Sequence, residues 1–191
     1  MLRGSDKRVH IMKVVSVVGM SGSGKSEVTG VFEKNGFVGI RFGDITDQEM
    51  RRRELNSGEK NERYIRELLR QEHGMAAYAV LNLPRIDSAL KYSNVVIDGL
   101  YSWEEYTFLK DHYGANIYIV AVWASPKTRC TRLAGRVKRS LAAEEALSRD
   151  RAEIENINKG GPIAIADFTI INESSVENLE RTVERIISQI R

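Results

Sequence analysis

The chain has 191 residues, of which 42% are hydrophobic and 29% charged, enough apolar material for one well-buried core and too much for a disordered chain. A single cysteine, Cys130, excludes an internal disulfide framework and a four-cysteine zinc site, and it fits a reducing, cytoplasmic setting. The net charge of +3 permits nucleic-acid binding without requiring it, so nucleic acid is not an expected partner.

No apolar run approaches the ~20 residues of a membrane span, and no membrane partner is expected. Residues 1–12 carry charge but no apolar stretch with a cleavage site. They read as an arm or leader, not a secretory signal.

From residue 13 onward, apolar runs alternate with helical patterns. Residues 13–18 (KVVSVV) are short and β-branched, as a buried strand requires. A helix follows over residues 25–34 and stops at Asn35-Gly36. Residues 37–42 form a second strand. Helical, charge-rich sequence then runs over residues 46–92, with breaks expected near residues 56–58 and at Pro84. Residues 94–97 give a third strand, 103–113 a helix and 116–123 a fourth strand. Pro126 opens another helix at its first position, where the missing N–H costs nothing. Residues 167–171 form a fifth strand, and 176–190 a closing amphipathic helix. Such alternation implies a three-layer α/β/α fold around a five-stranded parallel sheet, with ligands bound at the carboxyl ends of the strands.

The first strand runs into Gly19-Met20-Ser21-Gly22-Ser23-Gly24-Lys25-Ser26. This matches G-x-x-x-x-G-K-[ST] in the strand–loop–helix setting that such a phosphate-binding loop needs. The glycines let backbone N–H groups turn inward toward phosphate oxygens, and the following helix adds its positive end. Lys25 is expected to reach the β- and γ-phosphates of ATP, and Ser26 to bind Mg²⁺. Asp98 closes the third strand and can hold the same metal or its water; the alternative is a strand-ending Asp that caps a turn. Asp44 follows the second strand. It either orients or deprotonates a hydroxyl acceptor, or caps the next helix.

Arg129, Arg132 and Arg136 are spaced to share one helical face. Such a run is ordinarily a solvated surface. Beside a phosphate loop, and with Gly135 breaking the pattern, residues 135–143 read as a small lid. Arg136, and Arg139 further along it, would neutralise the transferring phosphoryl group. His10, His73 and His112 have no metal-ligand spacing and read as surface residues. Cys130 reads as packing, and Trp103 and Trp123 as core residues.

These motifs resemble those of P-loop kinases of the nucleoside monophosphate kinase and dephospho-CoA kinase group. Thr131-Arg132-Leu133-Ala134-Gly135-Arg136 is similar to the adenylate kinase segment that enters the lid. The likeness implies that Arg132 stacks on adenine and Arg136 meets phosphate. Ala166-Asp167-Phe168-Thr169-Ile170-Ile171-Asn172 is similar to a dephospho-CoA kinase strand and implies that Asn172 lies near adenine. Arg149-Asp150 and the run from Gly160 to Asp167 resemble adenylate-kinase-related, dephospho-CoA-kinase-like proteins. The likeness covers residues 13–191 as one kinase domain, with acceptor-binding helices over about 46–92.

It departs on the acceptor side. Asp47 stands where adenylate kinases place one acceptor arginine. Asp98-Gly99-Leu100-Tyr101-Ser102 lacks both the proline and the arginine that follow Asp-Gly there. Each such charge-assisted contact is worth ~1.5–3 kcal/mol, so the loss weighs against AMP itself and toward a hydroxyl acceptor. The expectation is therefore an ATP- and Mg²⁺-dependent phosphotransferase acting on a small nucleotide-like acceptor, a nucleoside, nucleotide or dephospho-CoA. The alternative is a nucleotide-gated binding protein or regulatory ATPase with no metabolite acceptor.

Overall fold

A computed structural model describes residues 12–137 and 140–190. Arg139 of the expected lid, and residues 1–11 of the N-terminal arm with His10, lie outside them. Five strands, β1 (Val14–Val18), β2 (Val38–Arg41), β3 (Val95–Asp98), β4 (Ile117–Trp123) and β5 (Phe168–Ile171), form one parallel sheet in the order β2-β3-β1-β4-β5. The chain therefore has the expected α/β fold. β1 lies at the centre and is flanked by β3 on one side and β4 on the other. The loop leaving its carboxyl end consequently opens between two neighbouring strands, where side chains of both can reach it.

Helices cover both faces. β1 shows how one strand serves two cores: Val14 and Val18 face one, Val15 and Val17 the other, as a period of two demands. On the first face pack α2 (Asp44–Arg52), α3 (Glu59–His73), α4 (Ala77–Ala89) and α5 (Trp103–Tyr113), through residues such as Met50, Ile65, Ile86 and Leu109. On the second pack α1 (Lys25–Lys34) and α9 (Val176–Ile190), through Val28, Phe32, Val183 and Ile187. α6 (Pro126–Ala134), α7 (Ala143–Glu155) and the short α8 (Gly160–Ala164) lie between β4 and β5 in the chain. Leu133, Leu141 and Ala146 join α6 to α7 in a small separate cluster, with Cys130 packed against it.

Several expectations need correction. Pro84 does not break a helix; it lies inside α4. The carbonyl it leaves without an N–H partner belongs to Val80, an exposed residue, so water can satisfy it. The break falls instead after His73, at Gly74, whose φ of 80° ends α3. Trp103 and Trp123 are not core residues: 37% of the first and 47% of the second is exposed. Trp103 is the first residue of α5 and packs against Tyr106, at 5.2 Å between ring centroids with the planes tilted by 38°, and Trp123 is the last residue of β4. Arg136 lies beyond the end of α6, so it does not share a helical face with Arg129 and Arg132.

The turn from β3 into α5 carries a buried acid. Ser102 caps α5 by accepting from the Glu105 N–H, and Glu105 Oε2 accepts from the Tyr101 N–H at 2.8 Å. Burial raises the Glu105 pKa to about 7, against the opposing pull of Arg70. A carboxyl held above its unfolded value keeps the native state more protonated from the ordinary carboxylate range up to about pH 7. Its contribution to stability therefore falls as pH rises through that window. Glu105→Gln preserves an acceptor for Tyr101 and should remove this loss. Urea-unfolding free energies at about pH 5 and about pH 8 should lie closer together in the variant than in the parent, and an unchanged difference contradicts the assignment.

Candidate functional site

The loop from Gly19 to Gly24 wraps between the carboxyl ends of β1 and β4. Gly22 and Gly24 have φ values of 81° and 98°, a region that glycine enters without penalty. A side chain at Gly22 would also lie 2.8 Å from the Arg129 carbonyl oxygen. The tight wrap is thus fixed by backbone conformation and by the packing of α6 over it.

Lys25 opens α1, and its Nζ donates to the carbonyls of Gly19 at 2.9 Å and Met20 at 3.1 Å. Its side chain therefore folds back along the loop. Burial first, then the charge of Lys159, lowers its pKa to about 7, with Glu153 and Asp98 opposing. Ser26 Oγ donates to Asp98 Oδ2 at 3.1 Å. The register that sets Val17 of β1 opposite Asp98 of β3 produces this meeting. A hydroxyl and a carboxylate side by side, next to a phosphate cradle, are the sparse oxygen set a Mg²⁺ ion takes when phosphates and water complete its shell. The donor chemistry fits that ion.

Arg132 and Asn172, far apart in sequence, meet at the same loop. Arg132 Nη1 and Asn172 Nδ2 both donate to the Ser23 carbonyl, at 3.4 and 2.8 Å, and Arg132 Nη2 donates to the Asn172 carbonyl at 3.0 Å. Arg129 does different work. It is buried, forms a two-point ion pair with Asp150 at 2.7 and 2.9 Å, and donates to the Ser21 carbonyl at 3.1 Å. It ties α6 and α7 to the loop. Arg136 is exposed at the start of the segment that joins α6 to α7. Asp44 heads α2 and pairs with Arg41 at 3.1 Å and Arg85 at 3.1 Å.

Three functional candidates, Arg41, Glu153 and Lys159, escaped sequence reasoning, and Arg149 entered it only through a resemblance. Arg41 pairs with Asp47 at 2.6 Å as well as with Asp44. Asp47 thus has an arginine partner of its own. Glu153 reaches from α7 to the loop, 3.5 Å from Ser21 Oγ. Lys159, only 1% exposed, donates to it at 2.9 Å, and Arg149 donates at 3.1 Å. Burial alone would raise the Glu153 carboxyl; Lys159, Arg149 and Lys25 together outweigh it and hold it well below the usual carboxylate range. The Lys159 ammonium also stands 5.3 Å from the centre of the Tyr101 ring. The i, i+4 spacing of Arg149 and Glu153 was visible in the sequence. Their distance of some 130 positions from the loop they face hid their purpose.

A cleft of about 440 Å³ opens between α3 and α7, lined among others by Arg63, Arg66, Arg70, Met75, Arg149 and Glu153. A smaller cavity of about 80 Å³ shares Arg66, Arg70, Arg149 and Glu153 with it and continues to Arg41, Gly43, Thr46 and Tyr101. Glu153 therefore stands between the phosphate loop and a pocket large enough for a small molecule. Gly43 and Thr46 line the inner cavity, while Asp44 between them is held by its two arginines. No helix among the described residues is long and apolar enough to cross a membrane.

The sheet order, the loop at the end of β1 and the helices above it define a P-loop fold of the kind found in small-molecule kinases. The chain overlays a shikimate kinase from Bacteroides thetaiotaomicron with a TM-score of 0.60 at 15% identity, covering 93% of this chain and 99% of that one. It overlays a gluconokinase from Sinorhizobium meliloti with a TM-score of 0.55 at 16% identity, covering 94% and 98%. The AAA domain profile matches residues 15–158. A UPF0200 protein of Thermococcus kodakarensis is 38% identical over 181 residues, 93% of this chain and 97% of the relative, and another from Methanococcus maripaludis is 32% identical over 186 residues, 94% and 100%. The chain belongs to the UPF0200 family and carries an AAA domain.

The lowered pKa of Lys25 has a measurable consequence. At about pH 8 the free lysine is largely neutral, and an approaching polyphosphate favours its ammonium form, so binding of MgATP should take up a proton. Calorimetric titrations in buffers of different ionisation enthalpy should show uptake near one proton per site at about pH 8, fading below about pH 6. A binding enthalpy independent of the buffer contradicts this.

Proposed function

We propose that this protein transfers the γ-phosphoryl group of MgATP to a hydroxyl of a small, nucleotide-like acceptor of the nucleoside, nucleotide or dephospho-CoA type. The observation that carries the reading is the meeting, at one point, of the phosphate loop, the Ser26–Asp98 pair and the Arg149–Lys159 cations, beside a cleft of molecular size. The likeness to kinases in fold, at 15–16% identity, agrees with it.

In this reading the loop from Gly19 to Ser26 holds the triphosphate, with Arg132 and Asn172 on the adenine side. Ser26 and Asp98 would hold Mg²⁺, which would supply neutralising charge to the phosphates. Lys25 and Arg136, with Arg149 and Lys159, stabilise the equatorial oxygens of the group in flight. The acceptor oxygen forms a bond to the γ-phosphorus as the bond to the bridging oxygen breaks, and ADP leaves. The acceptor's proton goes to Asp44, at the head of α2 where Gly43 and Thr46 line the inner cavity. Little covalent work falls to the protein; positioning and charge neutralisation supply the rate.

A coupled ADP-release assay with nucleosides, nucleoside monophosphates and dephospho-CoA tests this. One acceptor should raise the rate well above the acceptor-free rate, and Lys25→Ala should abolish the gain. Equal rates across the panel, with ATP still bound, would favour a nucleotide-gated binding protein instead. Asp44→Asn should lower turnover by ~10²-fold or more, the contribution of a positioned general base, with MgATP affinity retained. Unchanged turnover removes Asp44 from the role.

A further inference from the structure

The cleft between α3 and α7 holds a cation whose hydrogen-bonding capacity the protein uses only in part. Arg63, Arg66 and Arg149 all turn to one carboxylate, Glu59, at 3.8, 2.6 and 3.2 Å. Arg149 also takes Glu153, which Lys159 shares. Arg70 is different. Among the described residues it forms no ion pair. One terminal nitrogen reaches the Arg66 carbonyl of its own helix at 3.4 Å, and its guanidinium lies over the Tyr78 ring, 5.3 Å from the ring centre. Its Nε is shut away from solvent and has no acceptor.

A buried donor without an acceptor is costly, more so when it is charged. Such a group calls for an explanation, and beside a cavity a partner from outside the chain supplies one. Arg70 lines both the 440 Å³ cleft and the inner cavity that runs toward Gly43 and Thr46. Met75, Ala152 and Ile157 line the same cleft, so a ligand there meets apolar wall as well as charge. The guanidinium, held over the Tyr78 ring and lining both cavities, carries the planar donor fork that suits an oxyanion.

We infer that this cleft seats a small acceptor bearing a carboxylate or phosphate group, which docks on Arg70 with Arg66 and Arg149 beside it. The inference deepens the proposed function and rests on it for the word acceptor; the anion site itself stands on the geometry alone. It also reconciles the sequence with a charged substrate. The two family arginines are missing, and α3 supplies an arginine from a different element in their place.

The test reads Arg70 directly. The full chain, labelled with ¹⁵N-arginine, is titrated with inorganic phosphate, with acetate and with glycerol, first alone and then with MgAMP-PNP bound. The Nε–H resonance of Arg70 is identified as the one lost in Arg70→Lys. It should shift saturably with an anion, with a dissociation constant on the order of 1 mM, in both states, and stay still with glycerol. A response to phosphate alone marks a phosphate-bearing acceptor, and a response to acetate as well marks a carboxylate. No saturable shift with either anion overturns the inference. So does a shift that vanishes when MgAMP-PNP fills the phosphate loop.

Arg70→Gln gives an independent reading. It should raise KM for an anionic acceptor by about tenfold or more while leaving MgATP affinity unchanged, and loss of both would assign Arg70 to the fold instead. If no hydroxyl compound accelerates ADP release yet the Arg70 resonance still answers to anions, the kinase reading fails and the anion site survives.

Discussion

Two cations, Lys159 and Arg149, stand with the Lys25 amine at the mouth of the phosphate loop, and the Glu153 carboxylate binds both of them. Bringing like charges this close in a largely buried place is costly. Glu153 meets that cost by accepting from Lys159 and Arg149 while lying against Ser21 of the loop. This one carboxylate holds Lys159 beside the Tyr101 ring and partly offsets the lowering of the Lys25 pKa that burial and Lys159 cause. A triphosphate brings the same kind of charge in larger amount, so the site is built around an anion before the nucleotide arrives.

The sheet supplies the other constraint. With β1 between β3 and β4, the loop leaving β1 has Asp98 on one side and α6 on the other. Arg129 anchors that second side through Asp150. Its burial distinguishes it from Arg132, although the two differ by only three positions in the chain. One serves the packing of α6 and α7, and the other faces the loop with Asn172.

The parts of this arrangement legible in the sequence were those written locally. The strand–loop–helix signature, the carboxylate at the end of β3 and the N-terminal proline of α6 each depend on neighbours within a few residues. Arg132 and Asn172 were legible only by resemblance, and both do lie at Ser23. What was not legible is of two kinds. Pro84 and the two tryptophans were misjudged because exposure, not residue type, decides whether a proline is tolerated or an aromatic ring buried. Glu153, Lys159, Arg41 and Arg70 were missed because their meaning is a matter of which charges they face. Those partners lie on other elements, and a sequence with this many arginines and glutamates offers too many pairings to choose between.

The central claim is that the γ-phosphoryl group moves to a small molecule and not to water. A single-turnover experiment decides it: the chain with bound Mg[γ-³²P]ATP is mixed with a protein-free metabolite extract, and the labelled products are separated by charge. The account predicts label in an organic acceptor, and none there with the Lys25→Ala chain. Label recovered only as inorganic phosphate, at the rate seen without extract, would contradict it.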